Sequence, residues 1–257
     1  MGDKKLLAFP LLSGVISLIV LATFILPLIV AGAMSGVLFY GALFAFYLAS
    51  YFVVIFFNTA LISCVNARLQ EKEMSVGEGI ANALRHTPSI LGWALVSATV
   101  GVLLNLLRER GGFIGQIAAA LVGGAWGLVT FFVVPVLILE DKGVFDAVKE
   151  SASLIRKTWG ETIIGSGSIM LVFIIVGVVG FLGVLATMVL GSVMVFGIAL
   201  ALFIVLVIIL AVVAAAMQGI FVTALYSYAR TGTVPTAFNK DLIQNAFVQK
   251  QAGSGNI

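Results

Sequence analysis

Few residues in this 257-residue chain are suited to chemistry: the carboxylates Glu140, Asp141 and Glu161, the single histidine His86 and the single cysteine Cys64. Two acids held close together can do general acid–base work. These three have nearer occupations. Glu161 stands three residues after Thr158, the spacing of a capping box, and Glu140 with Asp141 precedes a segment whose helix dipole would favour negative charge. His86 sits beside Arg85 with no second ligand in view, whereas a zinc site takes three or four His, Cys or carboxylate ligands at defined spacing. Neither H-E-x-x-H nor C-x-x-C occurs, nor a Walker A loop, G-x-G-x-x-G or G-x-S-x-G. One cysteine excludes an intramolecular disulfide. The expectation is a protein that is not an enzyme and carries no metal or cofactor.

The elements that carry these residues are apolar. Hydrophobic residues make up 61% of the chain and charged ones 10%, a composition that calls for lipid as solvent. Charges are confined to narrow zones that leave four uncharged blocks: Leu6 to Ala67, Thr87 to Leu107, Gly111 to Leu139 and Thr162 to Ala229. A spanning helix needs roughly 20 apolar residues, so the middle blocks hold one helix each and the outer blocks must fold back. The reading is an all-α, polytopic membrane helix bundle: six transmembrane helices as three hairpins, spanning about 8–31, 37–64, 88–107, 112–139, 161–187 and 199–229. Residues 188–199 stay open as a turn, a re-entrant segment or part of a seventh helix.

Twelve of the fourteen Lys and Arg residues fall in zones of one parity; only Arg108 and Arg110 lie on the other side. The positive-inside rule then expects a multi-pass protein of the cell membrane with both termini cytoplasmic. The bases alternate with acids and form no unbroken stripe, which argues against nucleic acid as a partner.

The polar zones repeat. Phe56-Phe57 is expected to end the second span as Phe131-Phe132 ends the fourth, and a short amphipathic segment follows each, at about 75–86 and 144–157. These are read as helices lying in the cytoplasmic interface. In the first, Val76, Ile80, Ala83 and Leu84 oppose Glu78, Asn82 and Arg85, and Ser75 with Glu78 has capping-box spacing. In the second, Phe145, Val148, Ala152 and Ile155 form the apolar face. Thr158 with Glu161 is expected to cap the helix that follows, and Thr87-Pro88 places proline in a first helical turn. Thr223-Ala224-Leu225-Tyr226-Ser227 echoes Thr59-Ala60-Leu61-Ile62-Ser63 as a partial third copy. The tail, 231–257, reads as a partly amphipathic cytoplasmic segment followed by disorder.

Small residues recur at every fourth position in the fourth span: Gly111, Gly115, Ala119, Gly123 and Gly127. In lipid such a stripe lets helix backbones approach closely, so this helix is expected at the centre of the bundle. A seam with a second copy of the chain, or with another membrane protein, is the alternative use. No charge lies mid-span, where ion-coupled transporters place one. Asn58 and Gln218 are the polar residues placed to line a path, and Trp159, Tyr226 and Tyr228 fall where aromatic interface anchors belong.

The segment Leu139 to Ser151, in which a span ends in an acid and a glycine and an F-x-A-[hydrophobic]-[basic]-x-S helix follows, resembles a pattern in an uncharacterised prokaryotic family of six-span integral membrane proteins. More distantly it is similar to the membrane domain fused to some glycerophosphodiester phosphodiesterases. The starts Leu7-Ala8-Phe9-Pro10 and Ala224-Leu225-Tyr226-Ser227-Tyr228 stand closer to the former. The resemblance implies a six-helix bundle and supplies no activity; with no catalytic domain here, hydrolysis does not carry over. The functional expectation is a scaffold, a partner subunit or a binder of lipid-like molecules, with membrane lipids as partners. A channel or facilitator for a neutral or amphipathic solute is the alternative.

Overall fold

The computed structural model describes residues 4–31, 37–158, 165–188 and 192–232. These residues form an all-α bundle. A 3-10 turn, Lys4–Leu7, leads into α1 (Ala8–Ala31); α2 (Val37–Leu69), α3 (Val76–Arg85), α4 (Thr87–Arg110), α5 (Gly112–Val129), α6 (Val133–Leu139), α7 (Val144–Thr158), α8 (Gly165–Met188) and α9 (Val193–Thr231) follow. Among the described residues five stretches are long and apolar enough to cross a membrane: Lys5–Pro27, Phe39–Leu69, Thr87–Arg110, Gly112–Leu139 and Val193–Thr231. A shorter apolar stretch, Phe173–Met188, lies in α8.

The boundaries depart from expectation where local chemistry decides them. α2 does not end at Phe56-Phe57 but runs on to Leu69. It stops in a Schellman turn, in which the Lys72 amide donates to the Ala67 carbonyl at 2.9 Å and the Glu71 amide to the Arg68 carbonyl at 3.0 Å, with Glu71 left-handed at φ 59°. The traverse 112–139 is not one helix. Pro135 has no amide to offer the carbonyl four residues back, and the chain turns at Thr130–Phe132 between α5 and α6. The last helix starts at Val193 and not near Ala199, because the Ser192 hydroxyl accepts the Val195 amide and caps it there. Residues 193–199 are thus its first turns, and 189–191 lie outside the described residues. At 1.5 Å per residue α9 is about 58 Å long, nearly twice the hydrocarbon thickness.

The centre of the bundle is α2, which packs on α1, α3, α4, α6 and α9. The expectation that the glycine-striped helix would be central fails: α5 packs on α4 and α7, and Phe113, Ile114 and Leu121 project outward. The stripe instead divides into different local uses. A Cβ on Gly115 would lie 2.3 Å from the Leu107 carbonyl oxygen, and one on Gly111 would lie 2.7 Å from it, so these two glycines permit the tight reversal from α4 into α5. Ala119 is fully buried, Gly123 is in ordinary contact range of Leu104, and Gly127 faces open space.

Burial is concentrated at the end that carries α3 and α7, here called the base. Ala60, Ile62 and Val65 of α2, Val133 and Val136 of α6 and Leu225 of α9 are wholly or almost wholly enclosed there. Toward the other end α8 packs chiefly along α9, and both expose large aliphatic side chains.

Candidate functional site

The two short amphipathic helices, α3 and α7, are set on the bundle by the expected faces only in part: Val76, Ile80 and Ala83 of α3 pack on the core as expected. α3 begins with a complete capping box: the Ser75 hydroxyl accepts the Glu78 amide at 3.2 Å, while Glu78 Oε2 accepts the Ser75 amide at 2.7 Å. Those bonds, the backbone one foremost, hold the Glu78 carboxyl below the usual carboxylate range. α3 turns Gly79 and Ala83 inward, and Leu84 points out. A Cβ on Gly79 would lie 2.6 Å from Cys64 Sγ and 3.1 Å from Phe9 Cζ, so only glycine allows this approach to α1 and α2. Asn82, expected on the solvent side, instead donates to the Ser63 hydroxyl of α2 at 2.7 Å.

In α7 the packed face is Ala147, Ser151 and Leu154, while Phe145 is 75% exposed. Val148 and Ile155 of the expected face also pack on the core, at the edge of the buried face and not at its centre. The reason lies at the α5–α6 break. The Phe132 amide, released from helical bonding, donates to the buried Ser151 hydroxyl at 3.0 Å, which satisfies a backbone group that would otherwise be costly in an apolar interior. The serine of the F-x-A motif thus has a defined partner. The proposed Thr158–Glu161 cap, Trp159, the start of the expected 161–187 span and the tail beyond Gly232 lie outside the described residues.

Beside Ser151 is Glu150, part of an ion cluster that sequence reading did not find. Glu140, at the end of α6, accepts hydrogen bonds through Oε1 from Arg230 Nε at 2.7 Å, from Arg230 Nη2 and from the Tyr226 hydroxyl. Its Oε2 pairs with Lys142 at 2.9 Å; Glu150 pairs with Lys142 at 3.0 Å and with Arg230 Nη1 at 3.1 Å. Two acids and two bases close a ring that ties α6, α7 and α9 together. Burial alone would raise the Glu140 carboxyl, but the donors Lys142, Tyr226 and Arg230 outweigh it and hold the group below its usual range; the Lys142 ammonium is raised by its bonds to Glu140 and Glu150. Tyr226 is buried in this cluster and is not a lipid-facing anchor. Asp141 stands apart, exposed, left-handed at φ 50°, with its carboxylate 3.9 Å from His86 Nε2. Among the described residues no three His, Cys, Asp or Glu side chains gather as a metal site.

Above the base, among α1, α2, α4, α5, α6 and α9, is a cavity of 520 Å³. It contains both Asn58 and Gln218. Gly219 brings them together, because a Cβ there would meet Leu61 Cδ2 at 2.4 Å and Asn58 Oδ1 at 3.3 Å, so α9 can close on α2 only through glycine. Trp93 and Trp126, stacked at 5.9 Å, form one wall. Gly127 and Ala215 lie in the lining of α5 and α9, which do not pack closely on each other. Thr130 bonds to its own helix at Trp126, whereas the side chains of Asn58, Ser97 and Gln218 have no hydrogen-bond partner among the described residues. Ser97 is only 8% exposed. Among the described residues no charged side chain lines the cavity.

Fold and site together define an all-helical bundle with several helices apolar and long enough to span a membrane, a half-open pocket with no charged side chain among its described lining residues and a charged clamp at one end. A family described as "Family of unknown function (DUF6159)" matches residues 37–236, and the chain belongs to that family. No curated protein and no solved structure matches it, so the likeness to phosphodiesterase membrane domains finds no support in these comparisons.

Proposed function

We propose that this chain is a six-span membrane protein that holds a lipid-like molecule in the cavity between α2, α5 and α9. Three contacts at the base support the hairpin arrangement. Phe9 reaches Gly79, His86 reaches Asp141, and Arg230 reaches Glu140. Each pair is near in space but separated by long apolar helices, so an even number of crossings must lie between its members. α8 and α9 are then both traverses, giving six. The two-sided charge distribution orients the base, and both termini, toward the cytoplasm.

The observation that carries the lipid reading is a largely apolar pocket in which the side chains of Asn58, Ser97 and Gln218 have no hydrogen-bond partner among the described residues. Its size is in the roughly 300–1,000 Å³ range of small-molecule sites. Passage through the bundle is the weaker reading, since the helices that line the cavity continue toward the base as Ile62, Val65, Val136 and Leu225, all enclosed. The test is native mass spectrometry from lipid nanodiscs, comparing wild type with Gly127→Leu, whose added side chain enters open space. One lipid retained per wild-type chain, and none by the folded variant, supports the reading; no lipid on either overturns it.

A further inference from the structure

We infer that the cavity selects an amphiphile with one long apolar chain and an uncharged head that both donates and accepts hydrogen bonds, the chemistry of a long-chain alcohol or a monoacylglycerol. The inference rests on the lipid-binding reading above and concerns which lipid is taken.

Three features of the lining carry it. First, Asn58, Gln218 and Ser97 present two amides and a hydroxyl that no other described side chain or backbone group satisfies. Asn58 and Gln218 lie roughly three helical turns from the base ends of α2 and α9. Asn58 is half-buried and Gln218 is exposed on the open side of the pocket; within a membrane an unmet polar group there costs about 1–3 kcal/mol. A head with hydroxyl or amide character meets donors and acceptors together. Second, an ionised head would enter a cavity that offers no countercharge, and an unpaired buried charge costs far more than a neutral polar group. Lys142 and Arg230, at the base, are already paired with Glu140 and Glu150 and do not supply one. Third, apart from the hydroxyls of Ser13, Tyr51 and Thr130 the remainder of the lining is aromatic and aliphatic, and Gly127 and Ala215 leave room between α5 and α9 for a chain to lie.

The test uses the full chain, delipidated and reconstituted into nanodiscs carrying equal amounts of monooleoylglycerol, oleate and octadecene, with bound molecules extracted at pH 8 and quantified by mass spectrometry. The expected result is retention of monooleoylglycerol about tenfold over the other two, the discrimination of roughly one good hydrogen bond. In the double variant Asn58→Leu with Gln218→Leu the preference disappears while octadecene is still retained, which separates loss of head recognition from loss of fold. Equal or greater retention of oleate by wild type overturns the neutral-head inference, and so does equal retention of octadecene. Both outcomes leave the lipid-binding reading standing. If wild type retains none of the three, that reading itself fails.

Discussion

The units α2–α3 and α6–α7 are built to one plan and locked in two ways. In each, an apolar helix ends beside a left-handed acidic residue, Glu71 or Asp141, and a short helix then folds back with small side chains inward. The first lock is neutral and local: Asn82 reaches Ser63 on the span just before it. The second is charged and distant. Glu150 occupies the place on α7 that Asn82 holds on α3, yet it reaches Arg230 at the far end of the chain. The plan positions a short helix against the base; the residue at that one place decides whether the helix serves its own hairpin or gathers another.

The largest break in this comparison should come from Glu140→Ala, which leaves the Tyr226 hydroxyl without its acceptor and Arg230 with Glu150 alone. Removing one member of a buried ion pair costs about 3–5 kcal/mol. With a third of the Arg230 side chain exposed, screening reduces the expectation to about 2 kcal/mol, read as a lower unfolding temperature in detergent. Arg230→Ala combined with Glu140→Ala should cost less than the two single changes added together.

Ser151→Ala should cost about 1–2 kcal/mol by orphaning the Phe132 amide, and Asn82→Ala about 1 kcal/mol, because Ser63 still bonds to the Thr59 carbonyl. Equal losses from the two changes would show that the locks do not differ in kind.

Acid sharpens the contrast further. The folded-state Glu140 carboxyl titrates below its unfolded value, so its contribution is complete above roughly pH 4.3 and is lost as pH falls through the folded value. Glu140→Gln should flatten this acid limb of a stability–pH curve, while Asn82→Ala leaves it in place. The smallest effect belongs to Gly127→Leu, expected within about 0.5 kcal/mol of wild type because its side chain enters unfilled space. A large loss of stability there would mean that the space is occupied by protein.

Much of the element pattern was legible because single-residue properties decide it. Uncharged blocks mark the long apolar helices, Ser75 with Glu78 marks a helix start, and Pro88 marks a first turn. Helix faces were harder to read. Periodicity shows that α7 is two-sided, but Ala147 and Ser151 are neither large nor strongly apolar, and Phe145 is both while facing outward. Where lipid is the solvent an apolar face need not turn to protein, so hydrophobicity loses its power to say which side is in. The same holds for the glycine stripe, whose pattern permits close approach without naming what approaches.

Amino-acid order alone settled that this is an apolar, all-helical chain with charges at its hinges and no motif for metal or nucleophilic catalysis, since composition and short-range spacing suffice for that. Only the tertiary structure decided that α2 is central, that Asn58 and Gln218 share one cavity through Gly219, and that Glu140 meets Arg230. The last two of those facts join residues 90 or more positions apart, and contact at such range depends on how helices pack, which no local pattern encodes.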